Sequence, residues 1–424
     1  MSIFPWLAAC VVAGGLAGWP VQAQPAASPQ RPAAAPPPSS TDRDARGLTL
    51  QAALESAWQR AVAARESEGQ RRRVDAERAA AASLWAAPPS LALSHRDDRL
   101  HGSAGRRETD VGVSVPLWLP GQRAARAGTV EAAAAQAGAA EGLARLRLAG
   151  ELREAAWQLA AAQAEAAQAD AQARLLAQLA EDVDRRVQAG DLARADALAA
   201  RSEQLAATSL RAELHQRLQA AHGRWVQLTG LTALPDLGAS VAAHAANGMP
   251  HPELQLASQS TELARQRVAL MRHSRRDPPE LSVGLRQDVA GRAQASQGSL
   301  AIGLRLPLGT DDRNRPLEAA ALAELDVAQT HEQRLRERLD SEAGIARMAW
   351  QSAQAQLDAE TARRRLLRER SDLIDRSFRA GETPLPDLLR ALAAAAQADS
   401  AVARQTAALG LAIARHQQAL GLLP

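Results

Sequence analysis

Apolar residues return along this chain with two different periods. Over most of its length Ala and Leu recur every three or four positions among Arg, Glu and Gln, the spacing of one helix face. Four short stretches, at residues 88–98, 109–118, 278–288 and 299–308, alternate instead. Leu91 and Leu93 oppose Ala92 and Ser94, while Val111, Val113, Val115 and Leu117 oppose Asp110, Gly112, Ser114 and Pro116. Leu281, Val283 and Leu285 oppose Ser282, Gly284 and Arg286; Leu300, Ile302, Leu304 and Leu306 oppose Ala301, Gly303, Arg305 and Pro307. Period two puts each set on one face of a strand.

The two strand pairs belong to an internal duplication. PPSLALSHRDD at Pro88 matches PPELSVGLRQD at Pro278, and TDVGVSVPLWLPGQR at Thr109 matches SLAIGLRLPLGTDDR at Ser299. VQAGDLARADALAA at Val187 matches FRAGETPLPDLLRA at Phe378, laying Gly190 over Gly381 and Asp196 over Asp387. Three landmarks in one order, at an offset of 190 or 191 residues, define a repeated unit. Its order is helix, strand, strand, very long helix, helix. Residues 47–235 form the first repeat, 236–247 a linker and 248–424 the second. The long helices are expected from about Arg123 to Gln188 and from about Arg315 to Arg379, because Pro is absent past their first residues. About 65 helical residues make a rod on the order of 100 Å long, which an ordinary globular domain does not use.

Pattern alone leaves the strand faces with two readings. One is a small sheet whose apolar side lies on a core. The other puts the apolar side in lipid and the small or polar side, with Ser114, Ser282, Arg286 and Arg305, on a water-filled lumen. In the second reading four strands cannot close a barrel, and an open edge in lipid leaves backbone groups unsatisfied, so several copies must assemble. Arg286 and Arg305 would then make the lumen locally positive. Trp85 and Trp118 are the aromatic residues placed for a membrane girdle.

Composition narrows the choice. Hydrophobic residues make up 46% of the 424, but Ala supplies much of this, with 2 Phe, 8 Trp and no Tyr, which suits close helix–helix packing. The formal charge is +3, from 50 basic and 47 acidic residues mixed along the helices, so nucleic acid is not an expected partner. Residues 1–23 are apolar and end on Val21-Gln22-Ala23, a signal-peptide pattern; the Pro/Ala-rich stretch 24–46 is expected to be disordered. Cys10, the only cysteine, is either an apolar residue of that leader or, within Leu7-Ala8-Ala9-Cys10, a lipidation site. No later stretch is apolar enough for a transmembrane helix.

The opening LTLQAALESAW, HPELQLA at the second repeat, VPLWLPGQR, LPLGTDDRNRP and the AG(D/E) turns together resemble the TolC-type outer-membrane efflux proteins. LPLGTDDRNRP resembles their cobalt–zinc–cadmium (Czc-type) resistance branch. The likeness covers about Leu48 to Leu420. It implies a mainly α protein with a transmembrane β-barrel: a homotrimer with twelve strands in the outer membrane and a long α-helical barrel in the periplasm. It also implies passive conduction, opened by a periplasmic adaptor (membrane fusion) protein and an inner-membrane pump of the resistance-nodulation-division (RND) class.

The resemblance directs attention to the tip turns. Gly190-Asp191 and Gly381-Glu382 follow the long helices, and ordinary helix capping accounts for both. In the family such turns meet the adaptor, and an acid shortly afterwards narrows the aperture. Asp387 matches that position, Asp196 is its counterpart, and Arg390 stands where some relatives carry a further acid. The nine His form no site-like cluster with Asp or Glu and none pairs with Cys. No hydrolase, nucleotide or metalloprotease motif appears in a supporting context, so neither a catalytic site nor a cofactor is expected. The leading expectation is an exit channel for divalent heavy-metal cations. The alternatives are a channel for organic toxicants and a non-channel periplasmic coiled-coil adaptor.

Overall fold

The structure is a computed structural model that describes residues 48–98, 102, 104–238, 250–292 and 294–424. The expected leader, the Pro/Ala-rich stretch, Cys10 and most of the linker lie outside the described residues.

The first half contains α1 (Leu50–Arg60), α2 (Val62–Ala81), β1 (Ser90–Asp97), β2 (Arg107–Pro116), α3 (Gln122–Ala189) and α4 (Arg194–Thr229). The second contains α5 (Pro252–His273), β3 (Glu280–Val289), β4 (Gln297–Arg305), α6 (Asp311–Arg379) and α7 (Leu385–Ala419). The second strand of each pair starts two residues earlier than the alternation indicates: Arg107 and Glu108 extend the ladder of β2, and Gln297 and Gly298 that of β4. Leu117, Leu306 and Pro307 fall beyond the strands.

The opening helix is divided at Ala61, whose backbone is extended (φ −71°, ψ 140°). The break separates two surfaces. α1 buries Leu50, Ala53, Leu54, Ala57 and Trp58, whereas α2 buries only Val74 and Ala81. A change of direction lets the polar α2 run along the rod instead of into the core. Thr49 caps α1 by accepting the Ala52 N–H at 3.2 Å.

α3 and α6 are the rods, 68 and 69 residues long, about 100 Å each at 1.5 Å per residue. α3 is the central element: α4 and α7 pack along one part of it, α2 and α5 along another. α6 packs on α7 and α5 and forms the edge. The core at the middle of the rod gathers Leu50, Leu54, Leu152, Leu159 and Trp225. The Trp225 Nε1–H donates to the Ala233 carbonyl at 3.1 Å, which satisfies its polar edge. The Arg145 guanidinium lies 4.6 Å above the Trp58 ring, tying α1 to α3.

The strands form one antiparallel sheet in the order β1-β2-β3-β4. β2 and β3 join the two halves, with Gly112 opposite Gly284 and Ser114 opposite Ser282. β1 and β4 are edges.

Candidate functional site: an uncovered sheet and two hairpin tips

Among the described residues no core packs on the sheet, so the first reading of its faces gives way. Its apolar face carries Leu91, Leu93, Val111, Val113, Leu281, Val283, Leu285, Leu300, Ile302 and Leu304, all exposed; Leu93 and Ile302 are 72% and 71% accessible. A face this large and this uniformly apolar marks a lipid or protein partner rather than water. Trp85 is exposed beside it. Trp118 is half-buried and donates its Nε1–H to the Ser83 carbonyl at 3.1 Å, bracing the end of α2 against the sheet.

The opposite face is graded along the strands. At the end where strands meet helices, Glu280 faces Arg305, joined at 3.6 Å. Next come Ser90, Ser114, Ser282 and Gly303, then a row of Ala92, Gly112, Gly284 and Ala301. Toward the loops the face is charged. Arg286 pairs with Glu108 and approaches Asp110 at 3.8 Å, and Arg96 reaches Glu108 at 3.4 Å. The expected positive lumen is therefore corrected. Arg96, Arg286 and Arg305 share this face with Glu108, Asp110, Glu280 and Asp288, one more acid than base.

At the other end of the rods, α3 and α6 stop at glycines in the left-handed region, φ 89° at Gly190 and 81° at Gly381. The Asp191 N–H donates to the Arg186 carbonyl and the Glu382 N–H to the Ser377 carbonyl, the bonds of a helix-ending motif that a β-carbon would strain. Asp191 and Glu382 are exposed at the turns. The Asp196 carboxylate accepts the Ala193 N–H at 3.2 Å, capping α4. Asp387, in the first turn of α7, is ion-paired with Arg390 one turn later. Both candidate gate acids thus have local partners.

One tip contact has little sequence signal. Phe378, one of two phenylalanines, is buried among Val183, Leu385 and Leu388, and the Arg186 guanidinium sits 5.0 Å over its ring. Aromatic scarcity and its place three residues before Gly381 were the available clues.

The histidines are dispersed. His215 pairs with Asp170 at 3.1 Å, His222 bonds the Thr232 carbonyl, and His95 bonds Thr109. The His215 bond, with Arg211 and Arg174 adding to it, holds the Asp170 carboxyl below its ordinary range. Among the described residues no group of three His, Cys, Asp or Glu side chains is placed to hold a metal. Among the same residues no helix is long and apolar enough to cross a membrane, which says nothing of a β-barrel.

No protein-family profile and no curated relative matches the chain. Solved structures do. VceC, an outer-membrane protein of Vibrio cholerae, superposes with a TM-score of 0.68 at 16% identity, over 88% of this chain and 96% of its own. The CmeC outer-membrane channel of Campylobacter jejuni gives 0.68 at 13% identity, over 90% and 87%. The MtrE outer-membrane channel of Neisseria gonorrhoeae, in its open state, gives 0.64 at 16%, over 88% of each chain. These and three further structures score between 0.64 and 0.69, so the likeness does not single out a metal-resistance branch. The chain has the fold of these outer-membrane proteins: a duplicated helix and strand unit with one four-stranded sheet and two long rods.

Proposed function

We propose that the chain is a passive, non-catalytic exit channel of the outer membrane, with its rods in the periplasm. The observation that carries this reading is the sheet: apolar on one face, uncovered, and open at both edges. β1 and β4 each leave a row of backbone groups unpaired, and in lipid each such group costs several kcal/mol. Antiparallel pairing of β4 with the β1 of the next copy removes the edges. Three copies supply twelve strands, a number within the range of closed barrels. The lumen is then lined by the serine, glycine and charged rows. The tips would face a periplasmic adaptor and an inner-membrane RND pump, with Asp387 and Asp196 near the aperture and the turns at Gly190-Asp191 and Gly381-Glu382 as the contact. A periplasmic adaptor has no use for such a sheet.

The cargo reading moves from divalent metals to organic toxicants. LPLGTDDRNRP was the ground for the metal branch, yet the fold likeness is spread evenly, no described cluster could hold a metal, and the candidate gate acids are paired. A deletion strain complemented with this gene is grown across organic toxicants and zinc, cobalt, cadmium, nickel and copper salts. Restored tolerance to organic compounds, with a heat-sensitive trimer in the outer-membrane fraction, is the expected result. Restored tolerance to metals alone would return the cargo to cations, and absence of the trimer would overturn the channel.

A further inference from the structure

Charge is distributed unevenly between the two ends of the sheet. At the end where strands meet helices, the segments 82–89, 117–126, 272–280 and 305–318 carry eight arginines and five acids. Four ion pairs take up most of these: Arg313 with Asp277 at 2.6 Å, Arg305 with Glu280 at 3.6 Å, Arg315 with Asp311 at 3.8 Å and Arg272 with Glu318 at 3.9 Å. What remains is Arg123, Arg126, Arg275 and Arg276 against Asp312, all exposed. None of the four arginines has an acid partner among the described residues. The Gln122 side-chain amide donates to the Ser274 hydroxyl oxygen at 3.2 Å, which brings the two arginine pairs to one junction. At the loop end of the strands the described residues 96–98, 104–110 and 286–292 carry five arginines and five acids, and Arg99 lies outside the described residues.

The basic junction borders the apolar face directly. Arg276 stands five residues before Leu281, the first apolar residue of β3, at most about 17 Å of extended chain. Just before β1 and just after β4 the chain exposes Leu84, Trp85, Leu306 and Leu308; Leu84 and Leu308 are 75% and 82% accessible. Exposed leucine and tryptophan beside unpaired arginines is the composition of a membrane interface, where apolar groups enter the acyl region and cations stay at the headgroups.

We infer that this junction binds the headgroups of anionic phospholipids, with Arg123, Arg126, Arg275 and Arg276 on the phosphates and Leu84, Trp85, Leu306 and Leu308 among the acyl chains. The chain has no lysine, so each of these cations is a guanidinium fork, which meets two phosphate oxygens at once. A zwitterionic headgroup brings its own cation, which the unpaired arginines repel. The apolar border selects a lipid over a free anion. This inference rests on the channel reading and names the lipid that its sheet adjoins.

Tryptophan quenching in reconstituted trimers tests it. Trp85 and Trp118 lie at the junction, whereas Trp58, Trp157, Trp225 and Trp350 lie on the helices away from it. Trimers in phosphatidylcholine vesicles receive acyl-brominated phosphatidylglycerol or, in a parallel series, brominated phosphatidylcholine. An arginine near an anionic surface strengthens binding roughly fivefold, so phosphatidylglycerol should be preferred by about fivefold or more at low salt. The preference should fade near 1 M salt, where the screening length is about 3 Å. Arg275→Gln with Arg276→Gln removes no protein contact and should lower the preference by about threefold or more. Arg106→Gln with Arg292→Gln, at the loop end, should leave it unchanged. Equal quenching by the two lipids, a preference undiminished by salt, or one abolished by the loop-end pair and kept by the junction pair overturns the headgroup site and leaves the channel standing. If the unaltered chain forms no heat-sensitive trimer in the outer-membrane fraction, the channel reading fails.

Discussion

Arginine placed along β4 should report which face of the sheet meets lipid. The strand has nine residues, about 30 Å of chain, and at a barrel tilt of about 45° it spans roughly 21 Å of membrane normal. Leu300, Ile302 and Leu304 project to the apolar face, so Ile302 lies near the middle of that depth. An arginine on the lipid face near the midplane costs about 2–4 kcal/mol, and near zero on a lumen face. With tenfold per 1.4 kcal/mol, Ile302→Arg should lower the folded-to-unfolded ratio by roughly 30- to 700-fold. Ala301→Arg and Ser299→Arg, one and three residues before it on the opposite face of the strand, should stay close to the parent. Gly303 is not a fair member of the series, because a β-carbon there would lie 2.6 Å from the Ser282 hydroxyl oxygen and fail for steric reasons. The assay is urea-dependent loss of the heat-sensitive trimer from outer-membrane preparations. A saw-tooth with even-numbered positions sensitive is expected. Equal tolerance at Ile302 and Ala301, or sensitivity at Ala301 alone, would refute the lipid assignment.

Two further results follow from single positions. A β-carbon at Gly410 would lie 2.1–2.4 Å from Trp157 ring carbons, whereas at Gly138 it meets nothing within 4 Å. Both Gly→Ala changes gain about 1 kcal/mol of helix propensity, and only the first adds about 1–3 kcal/mol of overpacking, so the two variants should part by that amount in urea unfolding. His251 caps α5 through Nδ1, accepting the Glu253 N–H at 3.1 Å, and burial pushes its pKa below the ordinary value near 6.5, with Glu253 opposing. The unfolded chain then binds a proton more readily, so the contribution of the cap is complete above about pH 6.5 and declines as the pH falls through the lowered folded value. His251→Asn keeps an acceptor of about 1 kcal/mol that does not titrate, so thermal melts at pH 7.5 and 5.5 should show a smaller difference for the variant than for the parent.

The rods and strands were legible because each follows from a period. Uninterrupted helical spacing over some 65 residues and four alternating runs admit few arrangements, and the 191-residue offset doubled the signal. The charge balance of the sheet's polar face was not legible from Arg286 and Arg305 alone. Their partners come from strands that neighbour them only in the sheet: Glu108 and Asp110 lie more than 170 residues before Arg286. The division at Ala61 was missed because AVAARESE contains no helix breaker; the cause is a change in what the two segments bury. At the tips, Gly190 and Gly381 announced the turns, but the pairing of Asp387 with Arg390 uses a spacing of three that sequence reading weighed as an altered ring of charge, not as a local bond.

The duplicated halves receive unequal surroundings, and their sequences have diverged to fit. α3 buries sixteen residues and α6, one residue longer, buries five. The difference follows from position, since α3 has neighbours on both sides and α6 on one. Where the halves meet inside the chain, between α3 and α7, the seam is heavily committed. Trp157 lies over Gly410, Glu154 pairs with Arg415 at 2.6 Å, and Arg153, 3% exposed, bonds Gln418 at 2.6 Å and the Leu422 carbonyl at 2.9 Å. Burial without a carboxylate pushes the Arg153 pKa down to about 10, a charge tolerated because two acceptors hold it. In a closed ring the second half must also meet the first half of the next copy. That outer edge is formed by α4 and α6, which bury five residues each within the chain. Equal repeats thus produce one deep seam and one shallow one. If the rods shift against each other when the tips change shape, the shallow seam is where the least packing is lost.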